Sequence, residues 1–327
     1  MLSTALSAPS APLPHSVLEF SFSVLAPVAL RLQSLNTPNK MHYSTVVVAA
    51  FAASVSAHGL VTKITGANGV EMPGLGVMDG TPRDCASPAC GSEGDTSIIR
   101  DREISGGTKA SALGRTNKGG KVDAAKDIEM FMNGPGGAAA KPANKKRGLL
   151  DGILGGGGNG GGADAKGAKT PKGTSETGVK AAAGKGAASG MPTCSDTGEI
   201  TLTYHQVNQD GAGPLTAEVD PTSGGTDNAA FKEAKVTQDV PGIGIGGLSG
   251  ASVMDFPVKV QMPEGMQCQG KAGGAENVCI VRVRNSAAAG PFGGSAAFVQ
   301  PAAAKKRAIE YNLRKRHMAR GTLAKEQ

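Results

Sequence analysis

The sequence predicts a mostly β protein: a single immunoglobulin-like or fibronectin-like β-sandwich interrupted by a Gly-rich insertion. Three observations carry that expectation. Short stretches alternate apolar and polar residues with the two-residue period of a strand. Gly and Pro, 49 and 19 of 327 residues, punctuate them as turns. No long amphipathic helix interrupts the pattern, which suits two packed sheets of short strands. The clearest strand is Ile200-Thr201-Leu202-Thr203-Tyr204-His205, with Ile200, Leu202 and Tyr204 on one face and His205 on the other. Residues 258–262 alternate as well, and 280–284 less cleanly; 123–132 can hold one short helix.

Composition along the chain sets the boundaries. Residues 58–132 and 191–300 are mixed and globular, and neither half offers enough strands for two sheets, so together they form one domain. The insertion, 133–190, is Gly, Ala and Lys with no aromatic and no cysteine. So little apolar area cannot offset the cost of ordering a backbone, and disorder is expected there. Residues 301–327 read as a basic, disordered tail.

Residues 1–57 read as a leader, with a signal peptide at 41–57. After Met41 comes an apolar run over 46–53, too short to span a bilayer, and then Ser54-Val55-Ser56-Ala57, which suits signal peptidase. The expected product is exported and extracellular, without a membrane segment after cleavage. A cut after Ala57 makes His58 the first residue and places a free α-amine beside an imidazole.

The net charge of +7 is unevenly spread. Segments 141–190 and 301–327 carry +6 each and the leader +1, which leaves the globular remainder at −6. A nucleic-acid partner is excluded, because the positive charge avoids the folded part and the chain has no Trp for base stacking. Basic runs end at Arg147, Arg307 and Arg316. On flexible segments these would be open to processing proteases, with trimming near Arg307 and a nick near Arg147.

Five cysteines, Cys85, Cys90, Cys194, Cys268 and Cys279, all follow the leader, as in a disulfide framework with one thiol left over. The local pairs Cys85–Cys90 and Cys268–Cys279 are compatible with the spacing, but spacing alone leaves the connectivity open. Zinc is disfavoured, since no C-x-x-C pair occurs and only His58, His205 and His317 follow the cut.

The chemistry-bearing set is therefore His58 with His205. Two imidazoles and an α-amine offer three nitrogens in the tetragonal arrangement that Cu(II) favours. Phe298, on an expected late strand, is the candidate to cover the axial face; Tyr204 points to the opposite side of its strand from His205 and is a poor axial ligand. Gln206 would reach a bound oxygen species only if a bulge turned it inward. Hydrolase readings find less support. No G-x-S-x-G elbow occurs, and Asp210, Glu218, Asp220 and Asp227 do not differ from a solvated acidic loop.

The stretches His58-Gly59-Leu60-Val61, Gly80-Thr81-Pro82-Arg83-Asp84-Cys85, 95–101 and 204–214 resemble the Egh-type family, secreted fungal proteins associated with appressoria. So do Val240-Pro241-Gly242 and Ala289-Gly290-Pro291-Phe292-Gly293-Gly294. The resemblance covers most of 41–300 and implies an extracellular role in host penetration. The His-Gly start also resembles lytic polysaccharide monooxygenases, copper enzymes that cut wall polymers oxidatively; only His58 and, by role, His205 match. That second resemblance implies a cell-wall polysaccharide or host surface as partner. The alternatives are a non-catalytic, wall-associated or adhesive protein, or a precursor cut at its dibasic sites.

Overall fold

The computed structural model describes residues 58–135 and 167–323. The expected leader with its Ala57 cut, the Gly run at 155–162 and Arg147 lie outside them. The described chain is mostly β, as the alternating pattern predicts. Its long strands are β1 (Gly59–Thr65), β7 (Glu199–Gln206), β8 (Thr216–Asp220), β9 (Lys232–Gln238), β10 (Met254–Gln261), β12 (Ala275–Arg284) and β13 (Phe292–Val299). Shorter strands fill the edges: β2 (Glu71–Pro73), β3 (Ser97–Ile98), β4 (Arg115–Thr116), β5 (Gly120–Lys121), β6 (Ala168–Lys169) and β11 (Gly270–Ala272).

All the pairings between these strands are antiparallel; eleven strands follow one path, β2-β1-β7-β10-β9-β8-β12-β13-β3-β4-β5, while β6 pairs with β10 and β11 with β12 off that path. The two halves of the sandwich are continuous through β9, which pairs with β8 at Lys232–Ala234 and with β10 at Lys235–Gln238. The sheet thus curls over on itself and packs face to face. Ile200, Leu202 and Tyr204 of β7 meet Val258 and Val260 of β10 and Ala296 and Phe298 of β13 in one core. A bulge in β1 between Val61 and Lys63 returns Ile64 to that core after Val61. Pro257 falls between the β10 segments paired with β6 and with β9, so its missing N–H breaks no ladder bond on that side.

The helices are α1 (Asp101–Ser105), α2 (Ala124–Asn133), α3 (Gly178–Ala182), α4 (Gly186–Ser189) and α5 (Ala302–Leu323). The short helix expected at 123–132 is α2. Its N-cap Asp123 accepts from the Ala125 and Lys126 amides at 3.0 and 3.3 Å.

Two expectations of disorder are corrected. Residues 167–190 are ordered, by polar bonds together with burial of Ala182 in the core and packing of Val179 against Leu60, Val77 and Val207. The Gly80 amide donates to the Glu176 carbonyl and the Glu176 amide to Thr81, both at 2.8 Å. Asp79 caps α3 through the Val179 and Lys180 amides at 2.9 and 2.8 Å, and Arg83 pairs with Glu176 at 3.0 Å. Composition alone cannot reveal partners a hundred residues away. The tail is the second case: 302–323 form α5, because Ala, Lys and Arg are strong helix formers and Ala304 and Ala308 find burial. Asn312 Nδ2 also donates to the Gly265 carbonyl at 2.9 Å. Arg307 and Arg316 therefore sit exposed on a helix, not on an extended segment that a protease would bind directly.

Disulfides Cys85–Cys90 and Cys268–Cys279 are formed. Cys194 is the free thiol; burial pushes it up to about 12 and keeps it from pairing between chains.

Candidate functional site

The run Tyr204-His205-Gln206-Val207-Asn208-Gln209-Asp210-Gly211 carries β7 out of the sheet and past the start of β1. The ladder pairs Leu60 with His205 and Gly59 with Gln206, and the Val207 amide donates to the His58 carbonyl at 2.9 Å. His58 thus stands two rungs beyond the Leu60–His205 pair, the diagonal position on that ladder face, with backbones on the order of 7–8 Å apart. Two glycines make the approach possible. A Cβ on Gly59 would lie 2.2 Å from the Tyr204 hydroxyl, and one on Gly211 would lie 2.0 Å from the His58 carbonyl oxygen. The glycine after His58 therefore has a local steric cause.

Around His58 the structure gathers residues that spacing did not reveal. The His58 backbone nitrogen donates to Asn208 Oδ1 at 2.7 Å. Its Nδ1 lies 3.2 Å from Glu93 Oε1, and Asn208 Nδ2 donates to that same oxygen at 3.2 Å. Asn208 therefore links the amine position to the carboxylate. Burial, and then the charge of Asp210, push the Glu93 carboxyl up to about 7. Burial raises Asp210 as well.

The aromatic ring over His58 is Phe292, with centroids 4.3 Å apart. Phe298, the expected axial cover, is instead in the core opposite Cys279, six residues along β13 from Phe292. At about 3.3 Å per residue it lies roughly 20 Å away. The sequence places Phe298 on a late strand but does not say how far along that strand it falls.

His205 is fully buried. Asp255 stands directly across from it on β10, and Nδ1 lies 2.8 Å from Oδ1. That contact makes Nδ1–H the donor and leaves a lone pair on Nε2, which has no hydrogen-bond partner among the described residues. A carboxylate behind one imidazole nitrogen, with the other left open, is the arrangement in which metal-ligating histidines are held. This geometry fits a metal, whereas His58 turns Nδ1 to Glu93. Among the described residues, no group of three or more His, Cys, Asp or Glu side chains is arranged to hold an ion.

Tyr204 faces the core and donates to the Gly211 carbonyl at 3.1 Å, and burial raises its phenol. Gln206 is not turned toward His205. No bulge interrupts the β7–β10 ladder, and Gln206 Nε2 donates to Ser249 Oγ and the Ala251 carbonyl at 2.8 and 2.7 Å. Of the acidic residues considered for hydrolysis, Asp210 lies near Glu93 and the other three are engaged elsewhere. Asp220 accepts from the Thr222, Ser223 and Gly225 amides, Glu218 pairs with Arg282, and Asp227 caps a short turn at Ala229. Of the site residues, Asn208 was within reach of sequence reasoning, since it lies in the motif around His205. Glu93, Asp255 and Phe292 reach the site only through strand register.

The fold and site define a disulfide-bonded, curled β-sandwich with a polar histidine cluster at one end of its β1–β7 ladder. Residues 56–293 match the Egh16-like virulence factor family, and the chain belongs to it. It is 56% identical over 294 residues to the appressoria-specific virulence factor GAS2 of Pyricularia oryzae, covering 87% of this chain and 98% of that protein. Similarity to GAS1 of the same fungus is 29% over 256 residues, covering 78% and 77%. No solved structure matches.

Proposed function

We propose that the protein is a secreted virulence factor of a plant-infecting fungus, exported after cleavage at Ala57, and that it binds copper through His58 and His205. The names of its relatives support the infection role, and its disulfides support an oxidising compartment. The copper reading rests on one observation: the buried Nε2 of His205, without a hydrogen-bond partner among the described residues, with Asp255 behind its ring and His58 two rungs along the ladder. Once cleaved, His58 adds an amine and an imidazole. Copper held by these nitrogens supplies redox cycling toward oxygen or peroxide and oxidative attack on a wall polysaccharide. In this reading Asp255 fixes the His205 tautomer, Asn208 holds the terminal nitrogen, and Phe292 packs against the His58 ring.

Copper titration by calorimetry and electron paramagnetic resonance tests it, with protein that begins at His58. Tight binding with nitrogen couplings is expected. Binding should drop at least about 100-fold when one residue precedes His58 or with His205→Ala. Equal affinity in all three proteins overturns the copper reading. Product analysis on chitin, cellulose and pectin with a reductant then decides catalysis.

A second reading, wall adhesion without catalysis, is favoured by α5, whose Lys305, Lys306, Arg307, Arg314, Lys315 and Arg316 are all exposed. Retention on polygalacturonate that vanishes when α5 is removed would support it.

A further inference from the structure

A second site lies on the outer face of the sheet, bordering the His205–Asp255 pair, where the ordered arm 170–185 crosses β1, β2 and β7. We propose that this cleft binds a neutral, polyhydroxylated ligand: a short segment of an uncharged saccharide.

The cleft has a volume of about 340 Å³, at the small end of the range for ligand sites. Six hydroxyl side chains line it: Thr62, Thr170, Thr174, Ser175, Thr177 and Thr203. Thr170 is decisive, because it is only 7% exposed and its Oγ1 has no hydrogen-bond partner among the described residues. A buried hydroxyl without a partner costs roughly 1–3 kcal/mol, so such groups occur where a ligand or water completes them.

The charges in the lining argue against an ionic ligand. Three cations, Lys63, Arg83 and Lys185, stand against three carboxylates, Glu71, Glu176 and Asp255. Lys63 pairs with Glu71 at 2.8 Å and Arg83 with Glu176 at 3.0 Å. An incoming phosphate or uronate would have to compete for Lys63 and Arg83, which are already held, and would find only Lys185 without a carboxylate in ion-pair contact among the described residues. A neutral sugar would exchange hydrogen bonds with the hydroxyls and rest its C–H face on Pro73 and Ala181, which also line the cleft. Asp255 is an acceptor at the edge of this site, with 40% of its side chain exposed while it holds His205.

Asp255 is shared with the proposed metal site, so the test uses the full chain treated with chelator, which separates sugar binding from metal binding. Saturation-transfer difference NMR would be run with diacetylchitobiose, cellobiose and digalacturonate, each at about 10 mM, where weak Kd values are still visible. Saturation transfer to at least one neutral disaccharide is expected. Ala181→Trp, which fills the cleft from an exposed position, should abolish the signal, and Thr170→Val should weaken binding several-fold; circular dichroism of both variants checks folding. No transfer to either neutral sugar, transfer that survives Ala181→Trp in a folded protein, or preferred binding of digalacturonate would each overturn the proposal.

Discussion

Arg83→Leu is the substitution with the largest expected effect on the arm that builds the outer cleft. The Arg83 guanidinium donates to both oxygens of Asp95, at 2.8 and 2.6 Å, and to Glu176 Oε2 at 3.1 and 3.0 Å. The Asp95 side chain is fully buried, and its other donor is the Met78 amide at 3.0 Å. Leucine fills much of the arginine stem's volume but strands a carboxylate in the interior. Breaking one side of a buried pair costs about 3–5 kcal/mol. Glu176, 14% exposed, can turn to water and adds little. At roughly 2–4 °C per kcal/mol for a domain of this size, melting should fall by about 6–20 °C. Urea denaturation and thermal melts at neutral pH measure this, and hydrogen exchange should show 170–182 losing protection first. The double variant Arg83→Leu/Asp95→Leu should recover most of the loss, because apolar replacement of both partners is close to neutral. A loss below about 1 kcal/mol, or a double variant no better than the single, would refute the reasoning.

Three further outcomes are expected. With the terminus at His58, Asp255→Ala should lower copper affinity about 10–100-fold by freeing the His205 ring; unchanged calorimetric affinity would count against His205 as a ligand. Asp127 accepts from the Gly76 amide at 2.7 Å, and burial pushes its carboxyl up to about 6. An unfolded Asp titrates near about 3.9, so the folded state binds the extra proton and this group makes stability fall as pH rises from about 4 to 6. Asp127→Asn should flatten that segment of the pH–stability curve and gain about 2–3 kcal/mol at pH 7; a wild-type slope that survives the substitution would exclude Asp127 as its source. Removing Cys268–Cys279, eleven residues apart and fully buried, should cost about 3 kcal/mol in denaturant, against about 2 for the five-residue Cys85–Cys90 loop; the reverse order would contradict a loop-entropy origin.

The sequence by itself determined the β class, the faces of β7 and the candidate histidine pair. Alternation needs only neighbouring residues, so Tyr204 inward and His205 outward could be read directly. For the disulfides the sequence left the connectivity open: the local pairs Cys85–Cys90 and Cys268–Cys279 were compatible with the spacing, and the structure decided them. Tertiary structure alone decided which groups meet those histidines. Asp255 reaches His205 through the β7–β10 register, fifty residues along the chain, and Glu93 reaches His58 through a loop with no period of its own. Phe298 shows the limit: its strand was legible, but its position along the strand relative to His58 was not. The arm at 167–190 makes the same point from the other side. Its composition argues for disorder, yet hydrogen bonds and an ion pair to 79–83 hold it, and no local pattern encodes contacts with partners so distant in the chain.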